Sequence, residues 1–260
     1  MPEHIAADEK HTSIRGEKAY VATVVGHNCI LGAQVCSAAD ETELTKGYKV
    51  FANESKNINP TYSPKTVNID GWAATKLAFT QLFSTIVVIR CFLHAFIKVR
   101  DCCRTSPYFN DVSSKVWDVY FSKNKREFSQ RLRRLKAWAV IHMQNTTALD
   151  KIIKMHSRSL EYQVAYDHQG CHRTSNMCDR LMKTLDKALF DRQTFHGYIK
   201  SADDMAHSWA ILHNFYPYCM KKLKLTEGYY CPSGSLNSSQ YSDKWLHNLL
   251  VSSSMNGYRQ

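Results

Sequence analysis

The strongest constraint on the fold lies in the first 36 residues. Lys18 to Val25 reads KAYVATVV. Tyr20, Ala22 and Val24 fall on one face, and Ala19, Val21, Thr23 and Val25 on the other. Both faces are apolar enough for a central strand. Arg15-Gly16-Glu17 before it predicts a hairpin turn, which makes Ile5 to Thr12 the preceding strand. Gly26-His27-Asn28 predicts a second turn, and Cys29 to Val35 a third strand. Connections this short force a three-stranded meander.

Asp40 to Ser55 is polar, with Leu44, Tyr48 and Phe51 at helical spacing, and reads as a helix. Asn59-Pro60 and Ser63-Pro64 mark a loop. Thr66 to Ile69 is a short strand ending at Asp70-Gly71. Trp72 to Phe83 is a helix with Ala74, Leu77, Ala78 and Leu82 expected on its inner side. The β-branched run Thr85 to Cys91 predicts a buried strand, and the pattern turns helical from Phe92. The order predicts an α/β chain with a mixed five-stranded sheet, the last strands parallel.

Residues 102 to 168 read as an all-helical block. Phe128, Leu132, Leu135 and Ala139 form its clearest apolar stripe. Arg126, Arg131, Arg133, Arg134 and Lys136 cover the opposite face, with Lys123 and Lys125 just before them. Such a run is a solvated helix face or a track for a DNA backbone. Further helices are predicted from Ser175 to Phe190, with Met177, Leu181, Leu185 and Leu189 aligned, and from Ala202 to Asn214. A Ser- and Gly-rich stretch then leads to an apolar segment, Trp245 to Val251, expected to dock on the core as an arm. Trp72, Trp117, Trp138 and Trp209 sit on apolar stripes or helix starts and are expected in the core rather than as base-stacking platforms.

The 260 residues carry 34 basic against 23 acidic side chains, a net charge of +11. A surplus of this size favours an anionic partner, nucleic acid first. Met1 to Lys10 is polar with three acids, unlike a signal peptide. The best apolar run, Ile86 to Ile97, is broken by Arg90 and His94 and is too short for a bilayer, so no membrane partner is expected. The nine cysteines have no regular disulfide spacing and read as reduced thiols of a cytoplasmic protein.

Three acids stand out by position: Asp8 on the first strand, Asp70 at the end of the fourth, and Asp179 on the long helix. Two-metal phosphodiester chemistry needs several hard carboxylate oxygens on one spot. Each acid alone also fits a solvated or capping role, and Asp70 before Gly71 fits a turn. Here the motifs carry a resemblance. IDGWAATKLAF…LF…VIRCFLHAFIKVRD resembles the second-acid region of DDE-type transposases of bacterial insertion sequences, related to the Mutator-like group. In these, a strand ends in Asp-Gly and the next runs into Cys-x-x-His. AADEKHTSIRGEKAYVATVV resembles the first-acid strand and its hairpin, and HRTSNMCDRLM the third-acid helix. The family commonly has Asn-x-x-Glu there; this chain has Asn176-x-x-Asp179, one methylene shorter, so the metal must sit closer to the helix.

The resemblance implies an RNase H-like core, with residues 1–101 as its first part, a helical insertion at 102–168, its end at 169–219, and a C-terminal arm at 220–260. It implies Asp8, Asp70 and Asp179 as catalytic ligands of two Mg2+ ions, with Mn2+ as a substitute. The reaction implied is cleavage at transposon ends and attack of the freed 3′-hydroxyl on target DNA. The implied partners are those DNAs and further copies of the chain, at the nucleoid. Met1 stands seven residues before Asp8, which is expected to reflect a missing N-terminal DNA-binding region. A truncated DNA-binding or inhibitory remnant and an RNase H-like nuclease are the alternatives. Cys91 and His94 could pair with Cys171 and His172 around zinc, though adjacent Cys-His ligands suit one ion poorly. Otherwise Cys91 is a core thiol and His94 faces the carboxylates. His172 and Asn176 precede Asp179 and are further site candidates, Asn176 within one turn of it. Ser175 and Asn176 are the candidate helix caps.

Overall fold

The computed structural model describes residues 1–144, 146–191, 194–226, 228–236 and 244–254, without the side chains of 251–254. Five strands form one sheet: β1 His4–Ile14, β2 Glu17–Gly26, β3 Cys29–Cys36, β4 Thr66–Ile69 and β5 Val87–Arg90. Their order is β3-β2-β1-β4-β5. The chain is thus α/β around a five-stranded mixed sheet. The helices are α1 Glu41–Ile58, α2 Ala73–Leu82, α3 Phe92–Cys103, α4 Phe109–Tyr120, α5 Lys125–His142, α6 Thr147–Ser157, α7 Ser159–Gln163, α8 Asn176–Phe190, α9 Ile199–Phe215, α10 Met220–Leu223 and α11 Trp245–Ser254.

The chain divides into two compact units. The first comprises Met1–Val67, Trp72–Ile86 and the chain from Met177; the second comprises Asn68–Gly71 and Val87–Asn176. In the first, β1, β2 and β3 pair antiparallel, with Asp8 opposite Thr23 and Thr23 opposite Ala33. Both hairpins turn through two residues in left-handed conformation: Arg15 at φ 54° with Gly16 at 84°, and His27 at 49° with Asn28 at 63°. This is the geometry that matches strand twist across a two-residue loop. Ala6, Ile14, Val21 and Val25 pack with Leu181, Leu185 and Leu189 of α8 and Trp209 of α9.

Strand β3 ends the sheet, so its outer backbone groups need partners other than a strand. Helix α9 supplies them. Asp203 Oδ1 accepts the Val35 N–H at 2.6 Å, and Asn214 both accepts from the Ile30 N–H and donates to the Ile30 carbonyl, each at 2.8 Å. Burial pushes the Asp203 carboxyl above its usual range, against the Val35 and Gln34 bonds that hold it charged.

The second unit has its own core: Phe92, Phe96 and Val99 of α3, Val112 and Val116 of α4, Phe128, Leu132 and Leu135 of α5, and Ile152 of α6. Asn124 starts α5 by accepting the Glu127 N–H, while the Glu127 carboxylate accepts the Lys123 N–H. This resembles a capping box, but the second bond goes to the residue before the N-cap rather than to the N-cap itself.

Three expectations need correcting. Helix α2 buries Thr75, Ala78 and Phe79, while Leu77 is 44% exposed. The helix is turned because the Phe79 ring packs at a tilt against Tyr48, centroids 4.6 Å apart, and the Thr75 hydroxyl donates to the buried Glu9. Strand β5 is shorter than the β-branched run and only Ile89 is fully buried, because β5 is the other edge of the sheet. Trp72 is 37% exposed at the N-cap of α2, against His11 and Tyr20. Trp209 is buried, and Trp117 and Trp138 pack half-buried on the helical core. Helix α11 packs on α9, with Trp245 edge-on to Tyr216 at 5.4 Å; residues 237–243 and 255–260 of the expected arm lie outside the described residues. Among the described residues, no helix is long and apolar enough to cross a membrane.

Removing the edge partners should be costly. Asp203→Ala and Asn214→Ala should each destabilise the chain by about 1–3 kcal/mol, since each leaves a buried backbone donor unpaired. Urea unfolding followed by circular dichroism measures this.

Candidate functional site

Strand β1 runs between β2 and β4, and its side chains alternate between the two faces of the sheet. Ala6, Asp8 and Lys10 face α8. Ala6 packs in the same cluster as Cys178 and Leu181, and Lys10 pairs with Asp186 at 2.7 Å. Asp8 meets Asp179 between these two contacts. Their carboxylate oxygens lie within 4.8 Å of each other, although the residues are 171 apart in sequence. Asp179 and Asp186 are seven residues apart, two helical turns, so one face of α8 carries both. Both Asp8 and Asp179 are half-buried.

Two anionic carboxylates at this spacing repel each other, and a cation between them relieves the repulsion. Their oxygens are hard donors of the kind that Mg2+ and Mn2+ take. The donor set therefore fits a divalent ion. The short Asp179 side chain reaches Asp8 in this fold.

Asp70 follows β4 and belongs to the second unit, where it is half-buried. Gly71 has φ 95°, and a Cβ there would sit 2.5 Å from the Arg90 guanidinium carbon. Only glycine combines that backbone with so close an approach.

The Cys-x-x-His pair has a structural role in the same unit. Cys91 is the N-cap residue of α3 and is buried. Its Sγ accepts the Ser175 N–H at 3.1 Å and lies 3.3 Å from Ser175 Oγ. Ser175 Oγ in turn lies 3.2 Å from His94 Nδ1. Residues 172–175 are held at two further points: the Asn68 amide donates to the His172 carbonyl, and the Phe92 N–H to the Arg173 carbonyl, each at 3.0 Å. The Arg173 guanidinium lies between the Tyr120 and Tyr166 rings, 4.7 and 4.6 Å from their centroids. Ser175 thus fixes Nδ1 and leaves Nε2 as the second ring nitrogen, the usual way a ligand histidine is oriented.

The zinc alternative does not hold among the described residues. Cys91, His94, Cys171 and His172 form no ligand cluster, and the Cys171 thiol donates to the Ala165 carbonyl. All nine cysteines are free thiols. Burial pushes Cys29 and Cys36 up to about 12. Asn176 opens α8 and is exposed.

The basic face of α5 is partly committed. Arg131 donates to Glu127 at 2.6 Å and to the Asp118 carbonyl at 2.5 Å. Arg126, Arg133 and Arg134 are exposed, and Lys136 is half-exposed. Two features escaped the sequence reading. Glu9 is buried with its Oε1 accepting from Tyr48 at 2.6 Å and Thr75 at 2.7 Å. A small cationic cavity in the second unit gathers Lys151, Lys154 and Arg158 from one stripe of α6 and its end. The spacing of three and four residues was a readable signal for it.

No protein-family model matches the chain, and no curated protein matches it.

Two outcomes are expected. Millimolar Mg2+ or Mn2+ should raise Tm by about 3 °C or more, and should leave the double variant Asp8→Asn/Asp179→Asn unmoved in differential scanning fluorimetry. Ser175→Ala should release the His94 ring, seen as a changed Nδ1–H to Nε2–H tautomer ratio in its imidazole 15N shifts.

Proposed function

We propose that this chain is a metal-dependent DNA strand-cleaving and strand-joining enzyme, the catalytic core of a DDE-type transposase with an RNase H-like fold. The observation that carries the reading is the pairing of Asp8 on the central strand with Asp179 on α8. Two further features support it. The sheet begins as an antiparallel meander and continues through helices, with β1 inside it. The chain also has the basic surplus that a polyanionic substrate needs.

In this reading Asp8 and Asp179 hold a divalent ion between them, and Asp70 is the third carboxylate that the resemblance implies. His94, with Nδ1 held by Ser175, is the second-tier residue that the resemblance implies for phosphate contact. Bound there, Mg2+ or Mn2+ supplies Lewis-acid stabilisation of phosphoryl charge and lowers the pKa of a bound water. The reaction is a displacement at phosphorus. Water attacks first and the 3′-oxygen leaves as a hydroxyl; that hydroxyl then attacks a target phosphorus and displaces a bridging oxygen. The protein's share is to fix the carboxylates and to orient the strand.

The test uses the full chain, Mn2+ or Mg2+, and oligonucleotides with the sequences that flank its coding region. Asp8→Asn and Asp179→Asn should each lower strand cleavage and joining by about 100-fold or more, with Tm unchanged in EDTA. Cleavage that persists at the wild-type rate in both variants overturns the reading. Cleavage confined to RNA–DNA hybrids, with no joining, assigns the same carboxylates to a nuclease instead.

A further inference from the structure

The second unit holds a cavity of about 180 Å³. Arg90 of β5, Lys98 of α3, and Lys151, Lys154 and Arg158 of α6 and its C-terminal end line it, with Asp70 as the one carboxylate. Arg90 is paired with Glu161 at 2.7 Å. Among the described residues, Lys98, Lys151, Lys154 and Arg158 make no salt bridge.

Part of this charge has a local cause. Lys154 and Arg158 sit where α6 ends, and cations there meet the negative end of the helix dipole. That does not account for Lys98, on a different helix, or for Lys151, a turn earlier. Cations brought from two helices and a strand to one hollow repel one another, and an anion in the hollow relieves that repulsion. The cavity is smaller than the roughly 300–1,000 Å³ that whole small-molecule ligands occupy. It suits a single charged group whose remainder lies outside.

We infer that this cavity seats a backbone phosphate of a nucleic-acid strand, with Lys98, Lys151, Lys154 and Arg158 as its cationic contacts. The inference rests on the nucleic-acid reading above for the owner of the phosphate. It needs neither the metal nor the cleavage step. Arg90 is the fixed member of the set, held by Glu161 and packed on Gly71. The lysines reach the phosphate on flexible stems as point charges.

The experiment measures binding of a fluorescent oligothymidylate to the full chain by anisotropy, in EDTA, so that loss of catalysis cannot affect it. Lys98→Glu/Lys151→Glu should weaken binding at low salt by about tenfold or more. It should also flatten the plot of log affinity against log salt by roughly 0.7, the contribution of one single-strand phosphate contact to that slope. Lys18→Glu/Lys49→Glu, which reverses the same charge in the first unit, should change affinity less than about threefold. Lys98→Gln/Lys154→Gln gives the milder version at exposed side chains, where folding is not at stake. Equal losses in the cavity and control variants overturn the inference in favour of a diffuse basic surface. Unchanged oligonucleotide binding, with 31P line broadening of inorganic phosphate that the cavity variants abolish, overturns it in favour of a free phosphate ion.

Discussion

Asp8 and Glu9 are neighbours on a strand inside the sheet, and much of the first unit is arranged around their opposite directions. Glu9 points towards α1 and α2, where the hydroxyls of Tyr48 and Thr75 donate to its carboxylate. Burial and the Glu9 charge together push the Tyr48 phenol well above its ordinary value, so it stays a donor. Asp8 points to the other face, towards α8 and Asp179. A slip of one residue in the β1–β2 register would exchange the two acids. It would put Glu9 against α8 and leave the Tyr48 and Thr75 hydroxyls without their shared acceptor. The buried glutamate therefore locks the register that delivers Asp8 to its partner.

The second unit holds its own functional side chains by a different device. Residues 172–175 have no regular secondary structure, yet each of three contacts ties them down: Asn68 at the end of β4, Phe92 at the start of α3, and Cys91 through its sulfur. The Arg173 side chain adds a clamp between two tyrosine rings and donates to the Tyr166 hydroxyl at 2.7 Å. A loop segment fixed at this many points can hold Ser175 against His94 with little freedom. The conspicuous Cys-x-x-His thereby has a structural role: the cysteine anchors the serine, and the serine orients the histidine.

The positive charge is unevenly used. Lys10, Arg131 and Arg90 are bound to carboxylates and serve the fold. The α5 face that looked most like a nucleic-acid track in sequence is partly turned back on its own helix by Arg131. The cavity beside α6 draws instead on residues from β5, α3 and α6, none of which forms a conspicuous run. Charge density along the chain and charge density in space are different quantities, and the second is set by helix packing.

The sequence by itself determined the meander, its two tight turns, the short β4, and the helical block with its Phe128-Leu132-Leu135-Ala139 stripe. Local rules suffice there, because strand alternation, glycine and asparagine in tight turns, and helical spacing act over a few residues. It also singled out Asp8 and Asp179, but only a resemblance linked them. Tertiary structure decided their meeting, since a separation of 171 residues is closed only by α8 crossing the sheet. It likewise decided the inner face of α2: Leu77 and Leu82 have the apolar character, but Thr75 and Phe79 have the partners, Glu9 and Tyr48. A side chain's hydrophobicity is a local property. Which of two faces is buried depends on what waits across the interface.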